Sequence, residues 1–214
     1  MDDFSNADIL VDLLLAARWT LALTLVAFAG GGIVGLAMLT ARIDTRPWLR
    51  RAAMGYISLF QGTPLLLQLF LVFFGLPLLG LEIEPWTAAT LGLTLYASAY
   101  LAEIWRGGVE AVPKGQWEAA AALGLHPAVR LAFVVMPQAL RMTLPPAVGF
   151  LVQLVKATAV TSIIGFTEMM KTANAINNAT FEPFKVYGMV VVIYFALCFP
   201  LTSYARWLER ASAR

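Results

Sequence analysis

Charge is scarce in this chain. Of its 214 residues only 13% are Asp, Glu, Lys or Arg, 60% are hydrophobic, and the mean hydropathy is +0.75. A soluble domain carries about 25% charged residues. A globule of this length has too much surface to keep so much apolar side chain from water. An ordinary water-soluble enzyme is excluded on that ground, and so is a disordered chain. Cysteine is nearly absent: the single Cys198 has no partner in the chain and lies in an apolar run, which excludes a disulfide-built domain and reads as a small core residue. Histidine occurs once, so no His/Cys cluster offers a metal site; His126 reads as a surface residue at a helix start. The net charge of +2 is too small to point to nucleic acid. No Gly-Lys dipeptide occurs, so the chain has no phosphate-binding loop of its own.

What the chain does have is long uncharged runs. They cover 23 residues between Arg18 and Arg42, 30 between Arg51 and Glu82, and 18 between Glu84 and Glu103. A further 26 lie between Arg141 and Glu168, broken only by Lys156, and 20 between Lys185 and Arg206. A helix needs about 20 apolar residues to cross a bilayer. Five spans are predicted, near 19–41, 54–78, 86–104, 143–166 and 187–206. They are expected to be helices, because backbone in hydrocarbon must satisfy its own hydrogen bonds; the alternating strands of a β-barrel are missing. The connecting segments differ in sign. Arg42, Arg46, Arg50 and Arg51 fill the first loop, Glu82 and Glu84 the second, and Arg106, Lys114, Arg130 and Arg141 the third. Basic residues stay on the cytoplasmic side. The N-terminus, with Asp2, Asp3, Asp8 and Asp12, is therefore expected outside and the C-terminus inside, and the acidic start does not read as a cleaved signal.

Within the spans, Gly30-x-Gly32-x-x-Gly35 matches a dinucleotide-binding pattern in form, but it lies inside a membrane run and not after a strand. Ala27, Gly31 and Gly35 instead have the small-xxx-small spacing that lets two helices approach closely. Gln61, Gln68 and Gly75 recur every seven residues, which places them on one stripe of the second span, bracketed by Pro64 and Pro77. Gly92, Tyr96, Tyr100 and Glu103 form a stripe on the third. On the fourth, Gly149, Gln153 and Lys156 share one face, while Thr158, Thr161, Ser162 and Gly165 line another. Polar groups in hydrocarbon are costly, so such stripes face other helices or water. They are either interhelical contacts or a translocation path. Lys156, near mid-span, fits the path or a structural pair at a subunit interface. Glu103 fits the path or a local pair with Arg106 at i+3.

Residues 105–142 are the one sizeable cytoplasmic segment. Gln116 to Leu123 favours helix, with alanine at four successive positions. Gly124 suits a left-handed C-terminal cap, and Pro127 the first turn of a second helix. That helix is expected to run through Val134 and stop at Pro137. Exposed Trp117 and Leu125 would suit a partner's groove, or the helix would rest on lipid.

Glu118-Ala119-Ala120, three residues, Gly124, nine residues and Val134-x-Met136-Pro137 resemble the E-A-A-x₃-G-x₉-I-x-L-P signature of the permease subunits of binding-protein-dependent ABC importers, with Val and Met for Ile and Leu. Gln61-Gly62-Thr63-Pro64-Leu65-Leu66 resembles the R-G-T-P-L-L stretch of their polar amino acid branch, with Gln for Arg. Ala102 to Gly108, Met136 to Arg141 and Lys156-Ala157-Thr158 extend the likeness over about residues 15–210.

The resemblance implies an all-α integral membrane protein, one permease domain over 1–214 with five transmembrane helices of the type I ABC importer fold. Within it, 113–137 would be a coupling-helix segment in which Gln116, Trp117, Glu118, Ala119, Ala120, Gly124 and Leu125 meet an ATPase. The pathway would be lined from Gln61, Thr63, Gln68, Tyr100, Glu103, Gln153, Lys156 and Thr158. It also implies two ATPase copies that hold ATP and Mg, none bound by this chain. A second permease subunit, identical or paralogous, surrounding lipid and a periplasmic or surface amino-acid-binding protein complete the set. The alternative is an ion-coupled carrier working alone; it would show internal repeats and paired broken helices, and no convincing repeat is found.

Overall fold

The structure, a computed structural model, describes residues 5–212. Helix α1 (Asn6–Arg42) starts at a capping box: the Ser5 hydroxyl accepts the Ala7 N–H, and the Asp8 carboxylate accepts the Ser5 N–H. Next come α2 (Pro47–Gly62) and α3 (Leu65–Leu78). Then α4 (Pro85–Ala111) leads to the short α5 (Lys114–Ala122). Helix α6 (Pro127–Ile164), α7 (Met169–Thr180) and α8 (Pro183–Ser212) complete the order. No strand occurs among the described residues.

Helices α1, α6 and α8 are long and apolar enough to cross a membrane, and the pair α2–α3 passes the same test together. Helix α4 is the enclosed one. Ala88, Ala89, Leu93, Ala97, Leu101 and Ala102 are all buried, between α1 on one side and α6 on the other. A helix wrapped in protein needs less apolar surface than one wrapped in lipid.

The α1–α4 contact is made by absence of side chain. A Cβ at Gly31 would stand 2.6 Å from Ala97 Cβ, and one at Gly35 would stand 2.9 Å from the Ser98 carbonyl oxygen. With Ala27 buried above them, the small-residue stripe lies where its spacing predicts. Three apolar clusters follow. The central one joins Leu23 and Ala27 to Leu69, Leu93, Phe150 and Leu154. At the end that carries Asn6, α1 meets α7 and α8 through Ile9, Leu13, Met169, Ile176 and Val190. At the opposite end Val109, Val112, Val135 and Ala139 join α4 to α6.

Two expectations are corrected. The second span is not one straight helix: α2 and α3 meet at 107°. Pro64 drives the preceding Thr63 into extended backbone, φ −118° and ψ 144°. The Gln68 amide then turns back to donate to the carbonyls of Phe60 at 2.8 Å and Thr63 at 3.0 Å, groups that the lost helical turn would leave bare. Gln61, Gln68 and Gly75 therefore share no stripe. Pro137 does not stop its helix either. A π turn, Arg130–Val135, precedes it and α6 continues past it. The wider turn relieves the clash of the proline ring with the carbonyl four residues back. Leu71–Gly75 is a second π turn, just before Pro77.

Replacing Gly31 by Leu is expected to force α1 off α4 at a cost of about 1–3 kcal/mol. Gly55→Leu, at a site with nothing within 4 Å, is the control. Thermal unfolding of the detergent-solubilised protein should show a clear loss of midpoint for the first and little for the second.

Candidate functional site

The segment after α4 is built as a bracket. Helix α5 has one buried residue, Ala120. Its end closes as a Schellman motif: the Gly124 N–H donates to Ala121 and the Leu125 N–H to Ala120, at 2.9 and 3.2 Å. Gly124 holds φ +71°, the left-handed conformation expected of it. His126 then starts α6 as its cap, Nδ1 accepting the Ala128 N–H at 3.4 Å, which matches its reading as a surface residue at a helix start.

The exposure of the segment differs from expectation at two positions. Trp117 and Leu125 are half-buried, not exposed. Trp117 packs against the cluster that Val109, Val112, Val135 and Ala139 form between α4 and α6, so its ring fastens α5 to the ends of both. Leu125 gives its carbonyl to the Arg130 guanidinium at 3.3 Å. Phe133 of α6 is 77% exposed, and at the end of α5 the apolar residue left outside is Leu123, 79% exposed. The sequence contained its signal, a leucine beside the cap glycine of an alanine helix. Gln116, Glu118, Ala119 and Gly124 are exposed. A second tie comes from Gln138 on α6, whose amide donates to the Gln116 side chain at 3.3 Å.

The polar residues of the spans divide into three groups. Gln61, Thr63 and Gln68 serve the α2–α3 corner. Gln61 donates to the Ala99 carbonyl of α4 at 3.3 Å, and the Thr63 hydroxyl accepts from Gln68 at 2.9 Å. Tyr100 stacks on Phe150 at 5.3 Å between centroids, joining α4 to α6. Glu103 lies within an arginine network. Arg106 Nη2 is 2.7 Å from it, Arg42 at the end of α1 is 3.8 Å away, and Arg106 also pairs with Glu110. Of its two readings, the geometry supplies the local pair. The same network raises the Arg106 pKa, through its hydrogen bond to Glu103 first and to Glu110 second, against the effect of burial.

The third group lies on α6. Thr158 is fully buried, and its hydroxyl donates to the Val155 carbonyl at 2.8 Å. Gln153 and Lys156, one turn apart, are exposed on the opposite face. Lys156 makes no ion pair among the described residues, so Glu103 and Lys156 are not brought together. A free ammonium on a long apolar helix requires cover from elsewhere.

Sequence reasoning missed two features near the other end. Trp19, Glu84, Trp86 and Phe166 line a cavity of about 580 Å³. Beside it Glu168 is completely buried. Neither had a periodic signal, because each draws on three segments far apart in the chain.

The comparisons with known proteins agree with this architecture. The chain is 35% identical over 195 residues to the probable amino-acid ABC transporter permease protein YckA of Bacillus subtilis (strain 168), covering 91% of this chain and 86% of that one. It is 38% identical to the arginine transport system permease protein ArtQ of the same organism, over 89% of this chain and 88% of that one. A crystal structure of an amino acid ABC transporter with histidines superposes with a TM-score of 0.91 at 32% identity, over 99% of both chains. The inward-facing MetNI methionine ABC transporter shares the fold, with a TM-score of 0.78 at 22% identity over 94% of this chain and 96% of that one. The profile of binding-protein-dependent transport system inner membrane components matches residues 33–214. This chain belongs to that family, as the permease subunit of an ATP-driven importer.

Proposed function

We propose that the chain is the membrane subunit of an importer for polar amino acids, and that α5 with its Gly124 elbow is the lever through which a separate ATPase drives it. One observation carries the reading: α5 stands bare except for Ala120, yet Trp117 and the Gln116–Gln138 bond fasten it to both α4 and α6. A helix exposed on its far face and braced on its near face can receive force and pass it to two spans. Gln116, Glu118, Ala119 and Leu123 would meet the ATPase. Ala120, Trp117, Gly124 and Leu125 would hold the lever's shape.

In this reading the chain crosses the membrane five times, with α2–α3 as the bent second crossing and α4 as the third. The N-terminus is outside, and the cluster around Trp117 is cytoplasmic. The named cargoes of the relatives, amino acids, support the cargo class. Two permeases and two ATPases would form the assembly, with ATP and Mg held in the ATPases and a binding protein delivering cargo from outside. The bare faces of α8, with Val191, Val192, Phe195 and Phe199 all exposed, are available for lipid and for the second permease. The exposed Lys156 and Gln153 would then be covered across the subunit boundary, where they border the path, with Thr158 behind them. The family's dependence on a binding protein disfavours the lone ion-coupled carrier.

Gly124→Pro cannot adopt φ +71° and should leave insertion intact while uptake falls roughly tenfold or more. Leu123→Asp and Glu118→Lys should weaken copurification of the ATPase and lower transport-coupled ATP hydrolysis in proteoliposomes. Normal ATP-dependent uptake in all three would remove the lever. In the same assay, Lys156→Met is expected to lower radiolabelled amino acid uptake about tenfold. Glu103→Gln should instead act through the freed Arg42 and Arg106, lowering thermal stability more than cargo affinity.

A further inference from the structure

Glu168 is the one charged residue buried among the described residues, with 0% exposure. No Lys, Arg or His pairs with it there. It precedes α7, and one carboxylate oxygen accepts the Lys171 N–H at 2.9 Å. The other accepts the Thr20 hydroxyl of α1 at 3.3 Å and the Tyr194 hydroxyl of α8 at 3.5 Å. Thr20 in turn accepts the Met169 N–H at 3.3 Å, so α1 and the start of α7 are bonded in both directions.

A helix N-terminus needs no carboxylate: Ser, Thr or Asn caps it without a buried charge. Burial pushes the Glu168 carboxyl up, against the Met170 and Lys171 N–H groups and the Thr20 and Tyr194 hydroxyls, which favour the ionised form. What Glu adds over a short cap is reach. It spans from the α7 terminus to helices on two sides.

The segment just before it is the end of α6, and it is wound differently from the rest. Thr158–Ile164 is wound as a 3₁₀ helix and closes at Gly165 with φ +90°. Its hydroxyls are turned onto its own carbonyls, Thr161 to Thr158 at 2.6 Å and Ser162 to Ala159 at 2.7 Å. A 3₁₀ run of this length is uncommon at a helix end, and its hydrogen bonds are poorer than those of the α turns before it, which gives α6 a place to bend at its outer end. On its inner side stand Gln153 and Lys156, and on its outer side stands Glu168.

Resting on the importer reading above, we infer that Glu168 is a positioning residue for transport. It pins the outer end of the 3₁₀ segment to α1 and α8, so that α6 bends at 158–164 about a fixed point and carries Gln153 and Lys156 with it. Among the described residues, no titratable side chain other than Tyr194 bonds the carboxylate. Arg18 of α1 lies over the Trp19 ring at 5.6 Å, Lys171 of α7 is exposed, and Lys185 of α8 pairs with Glu182.

The test uses the assembled importer in proteoliposomes, with Glu168→Gln and the double variant Thr20→Val/Tyr194→Phe, which keeps the carboxylate and removes its ties. Per assembled complex, both should hydrolyse ATP while uptake per ATP falls about fivefold or more. Wild-type uptake should fall as the external solution is acidified and Glu168 is protonated, and the Gln variant should lack that dependence. Wild-type uptake per ATP in both variants, or parallel pH profiles for wild type and Glu168→Gln, would overturn the assignment. Amide exchange on the same complexes reads the pin without transport. Exchange over 158–180 should quicken roughly tenfold in both variants while α4 is unchanged, and unchanged exchange would overturn the pin. Failure of the wild-type complex to take up amino acids at all would count against the importer reading and leave the exchange result to judge Glu168.

Discussion

In a bilayer, lipid is as apolar as leucine, so burying leucine gives no reason for two helices to meet. They associate where surfaces fit closely enough for dispersion and backbone contact to exceed what lipid offers. That condition is met along the α1–α4 seam at Gly31 and Gly35, and again where Gly108 of α4 lies against Ala139 and Thr143 of α6. Because α4 is enclosed by α1 and α6, the seam fixes the helix on which the others are arranged. Leu69 of α3, Phe150 and Leu154 of α6 and the stack of Tyr100 on Phe150 are all placed relative to it. The glycines thus have a structural role.

This is why so much of the fold was legible. The small-xxx-small spacing of Ala27, Gly31 and Gly35 is local, and the rule that uses it is local. The same holds for the Gly124 elbow, where an alanine helix, a glycine and a following proline each specify one piece of backbone. The breaks were less legible. Pro64 and Pro137 carry the same local signal, yet one bends the chain by 107° and the other sits in a continuous helix. The difference lies in what each neighbourhood can repair. Before Pro137 the backbone widens into a π turn and the helix survives. At Pro64 the turn is given up, and Gln68 satisfies the exposed carbonyls instead.

The candidate site shows a similar division. Glu118-Ala119-Ala120 and Gly124 could be placed on one bracket from spacing alone, but not the direction in which each side chain points. Trp117 looked like an anchor for a partner and is an anchor for the chain itself. Leu123, between the alanines and the glycine, takes the outward position because the Schellman turn folds Leu125 back beside Arg130. For the spans, helical spacing gave stripes without saying what faced them. Gln68 proves to hold the α2–α3 corner and Gln61 to tie α2 to α4, while Gln153 stays open beside Lys156.

These pieces fix how motion can pass through the molecule. Force applied to the bare face of α5 reaches Trp117, and through it the ends of α4 and α6 at once. Helix α4 is locked to α1 by the glycine seam and has little freedom. Helix α6 is not uniform: it is α-helical where Phe150 and Leu154 enter the core and 3₁₀-wound, with poorer hydrogen bonds, from Thr158 to Ile164. A displacement that enters both helices at the lever can therefore be absorbed in α6, at the 3₁₀ stretch, more readily than in α4. Bistable packing of this kind turns a small push into a discrete change. With the outer end held at Glu168 as inferred above, the moving part would be the stretch of α6 that bears Gln153 and Lys156, both exposed in the isolated chain.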